Sequence, residues 1–526
     1  MNERYVFQTP MKMKIAWLLF LSVCCTTTGY GKPTGDKFCE TAKTYASPCS
    51  KDGNPGFCFE KKCYLAFNPT AQPFRIKIRY PERNEYAKNA FVDASKMFVR
   101  GSGLGLSWDE GRIMHKTQQD TWELRLEYAI PSNLDLVNGK KPPARFEFRV
   151  YLDDSKNMLG PNFLLNLPMS TNVKNTSKIP EFWEYPWFFN EKGTVERRTI
   201  YSPQLGEARS INVSLPPSFQ ENTYKKYETL FVNDGQRLGL LLPQLNILMV
   251  ERALIKEVLV IGVVNSYANR TRLLAVSNGT DVHCINGTMQ NRCNGCVSCR
   301  SSFCSYEQLV DDYRRCYRWL AMPKVNGQLY LDFIQDTLIP ECESKYRSLA
   351  GPQNYGIMGF SLGGMISCHA IWTRPQTFGS AACMSPSLWW PFPENATFPD
   401  DAGYEFTRST LMKHRGVRPR QKIYIDVGSN EGYVMISPAR NASKILASTP
   451  YFELNTNLWF YIWDDEYHMF MQSVQRMWIP LIAFYGTEGS AQTEIERIVN
   501  VAVRKNISSM TLLSMLVLAL ACSIFV

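Results

Sequence analysis

Residues 355–364 read Tyr-Gly-Ile-Met-Gly-Phe-Ser-Leu-Gly-Gly, and no other part of the chain limits its fold as tightly. An apolar strand at 355–358 runs into Gly359-Phe-Ser361-Leu-Gly363, and an apolar helical stretch at 362–372 begins at once. A chain that passes from strand to helix so abruptly strains the residue at the bend, and only glycines beside it let the two segments pack that closely. The bend lifts a serine hydroxyl clear of the sheet and turns the helix N-terminus toward any negative charge developing there. Ser361 is therefore the candidate nucleophile. The five-residue pattern alone recurs by chance; the strand before it and the helix after it set this copy apart.

The surroundings have the matching rhythm. From about 195 to 488, apolar strand candidates at 210–215, 229–232, 258–264, 355–358, 378–384, 422–427 and 458–463 alternate with helical stretches at 329–349, 362–372 and 469–484. Such alternation predicts an α/β domain built on a doubly wound sheet with helices on both faces. A cysteine-rich stretch at 281–320 interrupts it and reads as an insertion.

A serine hydroxyl is a weak nucleophile and needs a base. The chain has five histidines. His115 falls in a β-rich region, His283 beside the cysteine insertion, His369 two turns into the nucleophile helix and His414 in a basic stretch. His468 follows the strand at 458–463 and precedes the last helix, where the order Ser, acid, His of α/β hydrolases puts the base. The acid belongs on the loop after the strand at 422–427, where Gly428-Ser-Asn-Glu431 supplies Glu431. Asp426 is its rival inside the strand. The acid orients the imidazole and stabilises its protonated form.

The N-terminal half has a different texture. Residues 32–64 space cysteines as C-x9-C-x8-C-x4-C and read as a small disulfide-rich module. Residues 65–185 alternate apolar and polar positions between Gly, Pro and Asn turns, as an all-β sandwich does. Cysteine usage fits an oxidising compartment, and the run Cys293, Cys296, Cys299 reads as disulfides rather than a metal site because Asn286-Gly-Thr lies in the same segment. Residues 1–31 read as a signal peptide. Residues 489–509 read as a stalk, and the uncharged run 510–526 as a glycosylphosphatidylinositol anchor signal, with a single transmembrane helix as the alternative. Glycosylation motifs begin at Asn175, Asn212, Asn269, Asn278, Asn286, Asn395, Asn441 and Asn506. Those features predict an extracellular, membrane-anchored glycoprotein. The formal charge of +10 is spread along the chain and gathers into no basic stripe, so nucleic acid is not an expected partner.

Several segments together resemble the esterase D and enterochelin-esterase-like group of α/β hydrolases, from about 200 to 485. They are Ser202-Pro-Gln-Leu-Gly, Arg209-Ser-Ile-Asn-Val-Ser-Leu-Pro-Pro217, Leu230-Phe-Val-Asn-Asp-Gly-Gln236 and Gly359-Phe-Ser-Leu-Gly-Gly364. To these are added Phe378-Gly-Ser-Ala-Ala-Cys-Met-Ser-Pro-Ser-Leu-Trp-Trp390, Gly428-Ser-Asn-Glu431 and Tyr467-His468. The resemblance implies cofactor-free hydrolysis of a small-molecule or polysaccharide carboxylic ester through an acyl-enzyme on Ser361. It implies an oxyanion hole from the backbone N–H groups of Leu362 and Gln236, and it marks Arg270, Trp389 and Trp390 as substrate-binding candidates. The region 65–185 is similar to sandwich modules of the starch-binding type, which implies Trp108 and Trp122 as stacking platforms for a glycan; core tryptophans are the alternative. A catalytically inactive hydrolase-fold glycoprotein that binds carbohydrate or a protein partner remains the second reading of the whole chain.

Overall fold

The computed structural model describes residues 48–51, 54–59, 62–65, 70–82, 85, 96–130, 145–167, 179–276, 326–390, 402–413, 421–486 and 495. The expected signal peptide, the cysteine insertion at 281–320, the stalk and the anchor signal lie outside these residues, apart from Ile495. So do Asn175, Asn278, Asn286 and Asn395.

Three short antiparallel strands open the described chain: β1 (Pro48–Lys51), β2 (Asn54–Phe59) and β3 (Lys62–Leu65). Cys58 and Cys63 within them each take part in a disulfide.

Two sheets follow. One holds β5 (Met97–Gly101), β6 (Arg112–Ile113), β9 (Arg145–Leu152), β10 (Lys156–Asn157) and β11 (Phe163–Asn166). The other holds β4 (Thr70–Arg79), β7 (His115–Gln118), β8 (Thr121–Ile130) and β12 (Glu181–Glu184). Alternate residues of each sheet turn inward, so that Phe74, Ile76, Ile78, Phe146, Phe148, Val150 and Trp122 share one apolar core. Trp122 is 3% exposed and offers no open ring face to a sugar, which removes it as a stacking platform; the core alternative holds. Trp108 is 40% exposed.

The third sheet has eight strands in the order β13-β14-β16-β15-β17-β18-β19-β20. These are β13 (Thr194–Ser202), β14 (Glu207–Leu215), β15 (Glu228–Asn233), β16 (Val258–Val263), β17 (Tyr355–Phe360), β18 (Ser380–Met384), β19 (Lys422–Gly428) and β20 (Leu458–Trp463). Neighbours from β16 to β20 run parallel, whereas β14 is antiparallel to both β13 and β16. Every residue of β17 is buried, as a central parallel strand covered on both faces requires. Its side chains alternate between two cores. Tyr355 and Ile357 face the helices Gly327–Phe333, Leu362–Thr373 and Tyr433–Ala447, while Met358 and Phe360 face Leu238–Asn246 and Trp478–Tyr485.

Differences from the sequence reading have local causes. The single helix expected over 329–349 is Gly327–Phe333, a wider π turn at Ile334–Leu338, then Ile339–Lys345. Pro340 has no N–H to donate back into the preceding turn, and the ladder widens there. The helix expected over 469–484 divides at Met477 into Phe470–Arg476 and Trp478–Tyr485. Strand β13 escapes detection because Glu196, Arg197 and Arg198 make it polar, as suits an almost wholly exposed edge. A disulfide joins Cys368 of the helix Leu362–Thr373 to Cys383 of β18, with Cα atoms 5.6 Å apart; sequence spacing left both cysteines unassigned.

A buried carboxylate and its neighbours fasten the sandwich to the α/β domain: Asn222 Nδ2 donates to Arg79 O at 3.0 Å and Tyr224 Oη to Asp120 at 2.7 Å, beside Glu221. Glu221, with no exposed surface, accepts hydrogen bonds from Tyr80 Oη at 2.9 Å and from the N–H groups of Phe188, Phe189 and Asn190 at 2.6, 3.1 and 2.9 Å. Glu221→Ala strands all four donors in a dry junction. It is expected to cost about 3 kcal/mol or more, read as a fall in the denaturant midpoint of the full chain; an unchanged midpoint would mean water replaces the carboxylate at no cost.

Candidate active site

Ser361 occupies the bend between β17 and the helix Leu362–Thr373, at φ 62° and ψ −122°. That backbone is strained for a residue with a Cβ and persists only where the surroundings enforce it. Two glycines allow the crossing. A Cβ on Gly359 would lie 2.5 Å from the carbonyl carbon of Gly363, and one on Gly364 would lie 2.7 Å from Met384 O. The Ser361 N–H donates to Met384 O at 3.0 Å, which ties the bend to the neighbouring β18.

Strands β19 and β20 bring the other two residues to the same end of the sheet. Glu431 sits on the loop after β19 with its side chain fully buried, and His468 on the loop after β20 with its side chain 35% exposed. His468 Nδ1 lies 2.8 Å from Glu431 Oε2, and His468 Nε2 lies 3.0 Å from Ser361 Oγ. Nδ1–H donates to the carboxylate, so Nε2 presents its lone pair to the serine hydroxyl. Ser387 Oγ stands 3.2 Å from Ser361 Oγ and donates to it when the Ser361 hydroxyl donates to His468.

The imidazole is clamped as well as bonded. Phe360 stacks on it with ring centroids 4.6 Å apart at 29°, and Phe470 meets Phe360 edge-on at 5.9 Å. The Arg237 guanidinium covers Phe470 at 4.4 Å.

Glu431 is set up to remain charged. Burial alone pushes its carboxyl upward, yet hydrogen bonds from His468, Ser385 and the Gly428 N–H outweigh that and hold it below the ordinary carboxylate value. Ser385 Oγ donates to Oε1 at 2.5 Å and Gly428 N at 2.8 Å, so one oxygen is held by the protein and the other is left for the histidine. Asp426, the rival acid, points elsewhere. It has no exposed surface, its oxygens accept from Ser385 N–H and Tyr424 Oη at 3.0 and 2.9 Å, and Arg476 Nε lies 3.4 Å away. Burial pushes the Asp426 carboxyl up against the pull of Arg476.

The remaining candidates fall in three groups. Gln236 lies in a single turn, Gly235–Arg237, directly after β15, and its side-chain Oε1 accepts from Asn265 N–H at 3.1 Å. That turn is fastened beside the bend, since Asn233 Nδ2 donates to Gly363 O at 3.0 Å. Arg270 grips both oxygens of Asp234 through Nε at 3.0 and 2.9 Å and donates to Phe360 O at 3.1 Å. Its guanidinium thus links the two turns rather than standing open to a ligand. Trp389 and Trp390, each 8% exposed, pack into the core, and Trp389 Nε1 donates to Met435 Sδ at 3.1 Å.

Of the glycosylation motifs, Asn212 is half-buried in the α/β sheet. It lies in the middle of β14, and its amide nitrogen donates to Gly235 O at 2.8 Å. Asn441 lies half-buried in the helix Tyr433–Ala447, and Asn269 belongs to the helix Tyr267–Leu274. Sequence reasoning missed Ser385, Ser387, Phe360 and Arg476. The first two lie in the stretch 378–390, and Arg476 is the single cation of the terminal stretch 469–485, among Gln472, Ser473 and Gln475.

Residues 310–481 match the profile of a family described as putative esterase. The siderophore triacetylfusarinine C esterase of Aspergillus fumigatus is 34% identical over 64 residues, which are 12% of this chain and 22% of that protein. The uncharacterized protein YbbA of Bacillus subtilis is 33% identical over 106 residues, 20% of this chain and 37% of that one. The matches thus span well under two thirds of these curated relatives' length. Among solved structures, the enterobactin esterase FES of Shigella flexneri is 12% identical with a TM-score of 0.39, covering 79% of this chain and 95% of that one. An IroE-like serine hydrolase of Shewanella oneidensis is 16% identical with a TM-score of 0.39, covering 61% and 98%. The stretch that contains Ser361, Glu431 and His468 is similar to the putative-esterase family.

Proposed function

We propose that the protein is a serine carboxylic-ester hydrolase. The observation that carries this reading is the unbroken line from Glu431 Oε2 through the imidazole of His468 to Ser361 Oγ, at 2.8 and 3.0 Å. In this reading Ser361 attacks the ester carbonyl while His468 Nε2 takes its proton. Glu431 keeps the imidazole in the productive tautomer and offsets its charge once protonated. The oxyanion is met by the N–H of Leu362 at the helix start and by that of Gln236, with the helix dipole behind the first. His468 then gives its proton to the leaving alcohol, and water releases the acyl group by the same steps in reverse. Tyr467, Met469 and Met471, at 54, 54 and 50% exposure, form an apolar rim beside the base that suits an ester with an apolar or aromatic body.

The disulfide between Cys368 and Cys383 supports action outside the cytosol. Surface anchoring through 510–526 completes the proposal; release from intact cells by a phosphatidylinositol-specific phospholipase decides between a lipid anchor and a transmembrane helix. Turnover of p-nitrophenyl acetate by the purified full chain tests the activity itself. Steady hydrolysis that stops on serine-directed inhibition is expected, and a folded chain that turns over no ester of an acetyl, feruloyl and siderophore panel would leave a non-catalytic glycoprotein.

A further inference from the structure

Arg476 closes the helix Phe470–Arg476, and its side chain has no exposed surface. Burying a guanidinium is expensive, and a buried ion pair seldom returns that cost in stability when compared with apolar packing. The geometry shows what it holds. Nη2 donates to Ser385 Oγ at 2.9 Å and lies 3.8 Å from Glu431 Oε1. The Ser385 hydroxyl, thus fixed as acceptor on one side, donates to Glu431 Oε1 on the other at 2.5 Å. Ser385 itself is fully buried and sits at φ 39°, a strained backbone for any residue but glycine. Among the described residues Nε and Nη1 make no hydrogen bond. The one hydrogen bond of this cation therefore leads toward the acid of the candidate site.

We infer that Arg476 is a positioning residue: through Ser385 it fixes Glu431 in line with His468. The inference rests on the reading of Ser361, His468 and Glu431 as the catalytic set. The plain alternative is that Arg476 only neutralises Asp426, 3.4 Å from Nε.

Arg476→Met alone leaves Asp426 uncompensated and endangers folding. The deciding variant is therefore Arg476→Met with Asp426→Asn, which removes both charges together, with Ser385→Ala beside it. If Arg476 served only Asp426, the double variant would leave Glu431 and His468 as they are. As a positioning residue, its loss frees the Ser385 hydroxyl to turn away and Glu431 to swing. The expected result is a fall in kcat of about ten- to a hundredfold with KM within about twofold, in both variants. A second readout needs no turnover. With five histidines in the chain, 15N-histidine labelling resolves the His468 Nδ1 proton, which is expected to move upfield and exchange faster in both variants while the other histidines stay unchanged. A folded double variant with wild-type kcat and an unmoved Nδ1 proton overturns the inference. Should the wild type hydrolyse no ester, the proton signal still reports on the pair, so the two failures are told apart.

Discussion

Ser361→Ala is expected to lower kcat by about a millionfold, to the level left by substrate binding and the oxyanion donors alone. The size follows from what the hydroxyl does. Without it there is no atom to form the acyl-enzyme, and His468 Nε2 has no proton to take. The methyl group leaves the bend intact, because φ 62° and ψ −122° are imposed by the backbone contacts of Gly359 and Gly364 and by the Ser361 N–H to Met384 O bond. The melting temperature is therefore expected to stay within a few degrees of wild type. A residual rate within tenfold of wild type would mean that another group attacks the ester.

Glu431→Gln is expected to cost about ten-thousandfold in kcat with little change in KM, for a reason set by two neighbours. The Gly428 N–H can only donate, and it points at Oε1 from 2.8 Å, with Ser385 Oγ at 2.5 Å on the same atom. A glutamine must therefore place its carbonyl oxygen there and its NH2 group against His468 Nδ1. The amide then donates to Nδ1, which moves the ring proton to Nε2, where it faces Ser361 and blocks general-base action. Since the error is one of tautomer, raising the pH does not restore the rate. Steady-state kinetics across the pH range check this. Recovery of the wild-type rate at high pH would show that Glu431 contributes charge rather than orientation.

The legibility of this site in the sequence was uneven for physical reasons. The bend at Ser361 is visible because it needs glycines at fixed offsets and a strand and helix on either side, all local requirements. His468 is visible because few histidines exist and chain order limits where the base can stand. Glu431 is visible in part: it lies on the loop beyond β19 as the chain order requires, but only three dimensions show Asp426 turned toward Arg476 and Tyr424 instead. Partners fixed by long-range packing left no sequence signal. Arg476 reaches Ser385 across 91 positions, and Glu221 reaches Tyr80 across 141. Trp122 and Asn212 show the opposite limit. A sugar-stacking tryptophan and a core tryptophan have the same letter, and a glycosylation motif within a strand looks like one on a loop. Burial decides for the tryptophan, and it is not written locally.

In the proposed mechanism Ser361 owes its reactivity to the imidazole beside it, and covalent labelling reads that pair directly. The full chain is treated with a fluorophosphonate, and the modified peptide is located by mass spectrometry in wild type and in His468→Ala. One adduct is expected, on Ser361, formed readily in wild type and lost or slowed by at least about a thousandfold in the variant. A folded wild-type chain left unlabelled, or labelled on Ser361 just as fast without His468, would contradict the proposed mechanism.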